Sequence, residues 1–101
     1  MFPKPIRKKS KSNLANCRKQ PCIICLELRV TQRGPTQPDH LTSRGAGGGD
    51  DESNLLPCCF LHHRERHDIG LPRLIKKYKS VRMYLELMGR DDLLAKSDSI
   101  E

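Results

Sequence analysis

Residues 54–67 read Asn-Leu-Leu-Pro-Cys-Cys-Phe-Leu-His-His-Arg-Glu-Arg-His. The segment resumes apolar character at Asn54-Leu55-Leu56 after a polar stretch. From Phe60 it suits a short helix, with Gly70 where a helix C-cap belongs. Cys58, Cys59, His62 and His63 crowd into six positions, which makes this one half of a metal site. The other half is Cys22-Ile23-Ile24-Cys25, because two thiolates three residues apart can hold one ion within a tight turn. Zinc accepts sets of three Cys and one His at about 2.0–2.3 Å. The spacing Cys59-x-x-His62 repeats that of the first knuckle and selects Cys22, Cys25, Cys59 and His62 as ligands of a structural zinc. A register that recruits Cys58 or His63 stays open. Outside the zinc set, Cys58 suits the core as a small hydrophobe, and Cys17 has no evident role.

Composition agrees that a staple is needed. The chain has 101 residues, 36% of them hydrophobic, with four aromatics other than His and no Trp. That is one small domain with a thin core, and such cores rarely supply more than ~3–5 kcal/mol. Five cysteines, an odd number, in a chain without an apolar export signal argue for metal rather than a disulfide framework. A cytoplasmic location is expected. No run of 18 apolar residues is present, so no membrane partner is expected. The net charge of +7 is uneven: residues 1–20 carry seven basic and no acidic groups, whereas residues 21–60 are slightly acidic. Residues 61–90 are again basic, as expected of a polyanion binder.

Along the chain, residues 1–20 read as a disordered basic arm, residues 21–90 as the domain, and residues 91–101 as a flexible acidic tail. Alternating Leu26, Leu28 and Val30 predict a short strand, and Asp39-His40-Leu41 a second strand end. Residues 42–53 are glycine-rich and polar, a mobile loop. Pro72 opens a second helix with apolar residues at 74, 78, 81, 85 and 88, one face of an amphipathic C-terminal helix that ends at Gly89. The fold class expected is small α+β.

A second constellation does not belong to the zinc. His63 and His67 are four apart and share a helix face. With Asp39 they suit a divalent cation having open positions, leaving His40 free to act as a base. The bland alternative is two surface histidines and a turn Asp. Arg64 and Arg66 project from the same helix and, with Lys8, Lys9, Lys76 and Lys77, are expected to contact the phosphates of a polyanion such as a nucleic acid. Solvation explains such charges equally well.

Taken together, Asp39-His40, then Asn54-Leu55-Leu56-Pro57, then His62-His63-x-x-x-His67 resemble the HNH endonucleases. Asn54 lies nine residues before His63, and His67 follows by four. The flanking knuckles resemble the zinc-stapled branch, and small HNH proteins of phages are similar. The resemblance covers about residues 22–70 and implies a ββα-metal (His-Me finger) core. His62 departs from the pattern, where the last ligand of the second knuckle is usually Cys. By this resemblance His40 is the general base, Asn54 pins the loop that fixes the His40 ring, and His63 joins Asp39 and His67 in holding a catalytic Mg²⁺ or Mn²⁺. The activity implied is hydrolysis of DNA phosphodiesters by a monomer or weak dimer. The rival is a zinc-stapled DNA-binding module without catalysis. An RNA-binding zinc ribbon would want more exposed aromatics.

Overall fold

The computed structural model describes residues 9–99. It is a small α+β protein in which a two-stranded antiparallel sheet is packed among short helices. Strand β1 (Thr36–His40) pairs with β2 (Leu55–Cys59), with Thr36 opposite Cys59 and His40 opposite Leu55. Pro38 faces Pro57 in the middle of this ladder, a position at which neither residue needs to donate across the pair. Every residue of β2 is buried.

Two helices precede the sheet, and both differ from expectation. Helix α1 (Lys11–Arg18) occupies part of what reads as a disordered arm. It has almost no apolar face, and Cys17 is its one buried residue. Polar contacts hold it instead. Ser10 caps it by accepting from the Asn13 amide at 3.1 Å, and Asn13 Nδ2 donates to the Asp50 carbonyl at 2.9 Å. Residues 1–8, including Lys8, lie outside the described part.

Helix α2 (Ile23–Leu28) stands where alternation predicts a strand. The alternating Leu26, Leu28 and Val30 are in fact exposed, while adjacent Ile24 and Cys25 are buried, a helical rather than a pleated pattern. Arg29 ends the helix at φ 56, in the left-handed region, and Val30 N donates back to the Cys25 carbonyl.

The loop 41–54 is folded rather than a mobile connection. It contains two 3₁₀ turns, Arg44–Ala46 and Glu52–Asn54. Gly48 is required there, because a Cβ would fall 1.9 Å from the Thr42 carbonyl oxygen. Helix α3 (Phe60–Ile69) follows β2 directly and ends at Gly70 (φ 84), as expected.

The expected amphipathic helix is two helices, α4 (Leu71–Lys77) and α5 (Lys79–Leu87). Tyr78 separates them in an extended conformation, with its ring buried and its hydroxyl donating to Glu65 Oε1 at 2.7 Å. Glu27 of α2 accepts from the freed Ser80 amide and so caps the break. Four residues of the expected apolar face, Leu74, Tyr78, Val81 and Leu85, are buried with Ile24, Leu56, Cys58 and Ile75 in one core, whereas Met88 is only part-buried and stands outside it.

The acidic tail also folds. Helix α6 (Asp91–Asp98) lays Leu93 and Leu94 on that core, and Ser97 Oγ donates to the Pro72 carbonyl at 3.1 Å. Asp91 and Asp92 sit in its first turn, where the helix dipole favours acids. Among the described residues, no helix is long and apolar enough to cross a membrane.

Candidate metal centres

Two donor clusters flank the start of α3. In the first, Cys22, the N-cap of α2, and Cys25 in its first turn meet Cys59, the N-cap of α3, and His62 in that helix's first turn. His62 Nδ1 lies 3.5 Å from Cys22 Sγ, 3.6 Å from Cys25 Sγ and 3.3 Å from Cys59 Sγ, and the Cys25 and Cys59 sulfurs are 3.7 Å apart. A tetrahedron with Zn–S of about 2.3 Å and Zn–N of about 2.0–2.1 Å has edges of roughly 3.5–3.8 Å. The cluster therefore matches a three-Cys, one-His zinc site and can hold a structural metal such as zinc. Burial, then the hydrogen bonds with Cys22 and Cys59, push the Cys25 thiol up to about 12. Thiolates this close need a cation among them. Gln32, unremarked in the sequence, accepts from the Cys22 amide at 2.7 Å and donates to Thr36 Oγ1 at 2.9 Å, tying the knuckle to β1. Cys58 faces the core and takes no part.

In the second cluster Asp39 of β1 meets His63 and His67 of α3. His63 Nε2 is 3.5 Å from Asp39 Oδ1 and 3.1 Å from His67 Nε2. Donors on adjacent corners of an octahedron at about 2.0–2.1 Å lie roughly 3 Å apart. His63 Nδ1 donates to Gln37 Oε1 at 2.9 Å, which leaves Nε2 with its lone pair facing the cluster. Gln37 and Asp39 are two apart in β1 and so share a face, a signal that needs the strand's full extent to be known. Burial first, opposed by the Asp39 charge, holds His63 below the ordinary histidine value.

Arg66 does not reach outward as a phosphate contact. Its guanidinium turns onto buried Asp39, because a buried carboxylate needs a countercharge. Neither Asp39 oxygen accepts a hydrogen bond, so charge alone satisfies them. A donor set of one such carboxylate and two imidazoles fits a divalent cation. No known protein family, curated protein or solved structure matches the chain.

His40 ends β1, with its side chain 18% exposed, and its Nε2 donates to Asp50 Oδ1 at 2.7 Å. Asn54 pins the intervening loop. Its Oδ1 accepts from the Thr42 amide at 2.8 Å, and its Nδ2 donates to the Thr42 and Gly49 carbonyls at 3.0 and 2.8 Å. Arg90, which the sequence reading did not single out, braces Asn54 from behind. Its Nη1 donates to the Ser53 carbonyl at 3.0 Å and to Asn54 Oδ1 at 3.2 Å. Of the expected DNA contacts, Lys9, Arg64 and Lys76 are exposed, and Lys77 is ion-paired with Glu65.

Proposed function

We propose that this protein is a divalent-cation-dependent endonuclease of the HNH kind, with a ββα-metal core stapled by zinc. The observation that carries this reading is the convergence of Asp39, His63 and His67 on one point, with the part-buried His40 next in sequence to Asp39 at the end of β1. The order β1, pinned loop, β2, α3 supports it, as do the loop contacts of Asn54 that the resemblance to HNH nucleases leads one to expect.

His40 takes the proton from a water as its oxygen attacks the scissile phosphorus, and the 3′-oxygen leaves and takes a proton from solvent water, giving 5′-phosphate and 3′-hydroxyl ends. Asp39, His63 and His67 would hold a divalent cation, which would supply charge neutralisation at the reacting phosphate. Gln37 keeps the His63 donor nitrogen turned inward, and Asn54 with Arg90 keeps the His40 loop in place. Lys9, Arg64 and Lys76 lend sequence-independent attraction for the DNA backbone. A single such site cuts one strand, so the expected product is a nick, made by a monomer or weak dimer in the cytoplasm of a bacterial or phage-infected cell.

The test is nicking of supercoiled plasmid with Mg²⁺, with Mn²⁺ and with chelator, by wild type and by His40→Ala. Divalent-dependent nicking that drops at least ~100-fold in the mutant is the expected result, the scale of a positioned general base. A wild type that binds plasmid but cuts under no cation leaves a zinc-stapled binding module instead.

A further inference from the structure

Asp50 lies outside both donor clusters, in the glycine-rich loop, and the residue is 4% exposed. Donors surround it. Oδ1 accepts from His40 Nε2 at 2.7 Å, and Oδ2 accepts from the backbone N–H of Ser10 at 3.0 Å. Its carbonyl accepts from Asn13 Nδ2 at 2.9 Å, and Arg44 Nη2 is 3.5 Å from Oδ1. The His40 hydrogen bond first, then that of Ser10, hold its carboxyl below the usual carboxylate range. The group facing His40 is thus an ionised carboxylate, which can only accept. His40 Nε2 therefore donates a ring proton to Oδ1, and in the neutral imidazole Nδ1 is the nitrogen that bears the lone pair.

We propose that Asp50 is the positioning residue for His40, fixing the ring and its tautomer so that Nδ1 is the nitrogen that receives the proton from the attacking water. The inference rests on the nuclease reading above. It also gives α1 a purpose that its sequence hides. Ser10 at its N-cap and Asn13 in its first turn hold Asp50 through Oδ2 and the backbone carbonyl, leaving Oδ1 to His40, so the segment resembling a loose arm braces the base. A carboxylate that orients an imidazole and selects its tautomer need not touch the substrate to matter.

Two measurements on the full chain test this. The first is steady-state nicking by wild type, Asp50→Ala, His40→Ala and the double variant. Asp50→Ala is expected to keep its zinc and to lower kcat roughly 10- to 100-fold, the scale of losing a group that orients a functional histidine. KM should stay within about twofold, since no ground-state contact is lost. In the His40→Ala background the same substitution should cost nothing further, because the ring it orients is gone. If Asp50→Ala fails to fold, the near-isosteric Asp50→Asn carries the test and must still lower kcat.

The second measurement is the ¹⁵N spectrum of the His40 ring, which should show the neutral ring protonated at Nε2 in wild type and a tautomer mixture in the variant. Equal losses with and without His40, or a wild-type ring protonated at Nδ1, overturn the proposal. A wild type that cuts under no divalent cation overturns the nuclease reading instead, while the ring spectrum still decides whether Asp50 sets the tautomer.

Discussion

His62 and His63 are neighbours in the chain and belong to opposite kinds of site. The cluster around His62 is closed: three buried cysteines and a half-buried imidazole fill all four corners of a tetrahedron. The cluster around His63 is open: three donors graded from a buried Asp39 to an exposed His67 leave the outer side to solvent. One helix serves both because successive residues point about 100° apart. A set that saturates its ion holds a fold together, whereas one that leaves positions free can accept a ligand. The difference lies in how many donors converge and how deeply, not in the histidines themselves.

Removing the closed set should have the largest effect. Stripping zinc with a strong chelator, or substituting Cys25→Ser, is expected to abolish the cooperative melt, because zinc-peptide binding of about 10–16 kcal/mol exceeds what a core this thin can replace. Metal analysis together with thermal unfolding checks it. A zinc-free chain with an unchanged melt would erase the distinction between the two clusters.

Next in size is the exchange of neighbours. His62→Ala should release zinc and lower the melting temperature. His63→Ala should keep both and lose divalent-dependent nicking by at least about 100-fold. Zinc content, melts and nicking rates measured side by side would reverse the assignment if the two phenotypes were swapped.

Gln37→Ala probes the open cluster more gently. With Nδ1 of His63 released, the half-saturating Mn²⁺ concentration for nicking should rise roughly 10-fold while zinc content stays the same. An unchanged Mn²⁺ titration would mean that Gln37 does not orient His63.

The smallest expected effect is with pH, read from melts in buffer free of divalent cations. Burial holds His63 below the ordinary value of about 6.5, so the unfolded chain takes that proton first. Stability from this group is complete above about pH 6.5 and declines as pH falls from there towards the lowered folded value. The melting temperature of wild type should therefore fall more steeply between about pH 7 and 5.5 than that of His63→Gln. Parallel curves would show that the ring is not held neutral by burial.

The donor sets were legible in the sequence because metals constrain residue type and spacing together. Cys22-x-x-Cys25 and Cys59-x-x-His62 come together as spaced, and so do Asp39, His63 and His67. The supporting residues were not legible, since Asp50, Arg90 and Gln32 reach Ser10, Ser53 and Cys22, partners that lie 40, 37 and 10 positions away. Arg66 was misplaced for a local reason: it stands three after His63 and so shares the helix face that looks onto Asp39. Helix α1 escaped because periodicity detects apolar faces, and α1 is anchored through polar ones. Leu93 and Leu94 closed the core from a segment whose charge masked them. The strand expected at Leu26–Val30 shows the opposite error, since alternation there marks no buried face.

The facing prolines of the sheet have a consequence for the protein in a crowd. Opposed prolines must occupy a non-hydrogen-bonded pair, so their ring nitrogens point away from each other, towards the two outer margins of the ladder. Each margin therefore lacks a donor at its midpoint. On the β1 margin, where Pro38 is part-exposed while Pro57 is buried, a foreign strand seeking to extend the sheet would meet that gap, which guards the ribbon against edge-to-edge aggregation at high concentration.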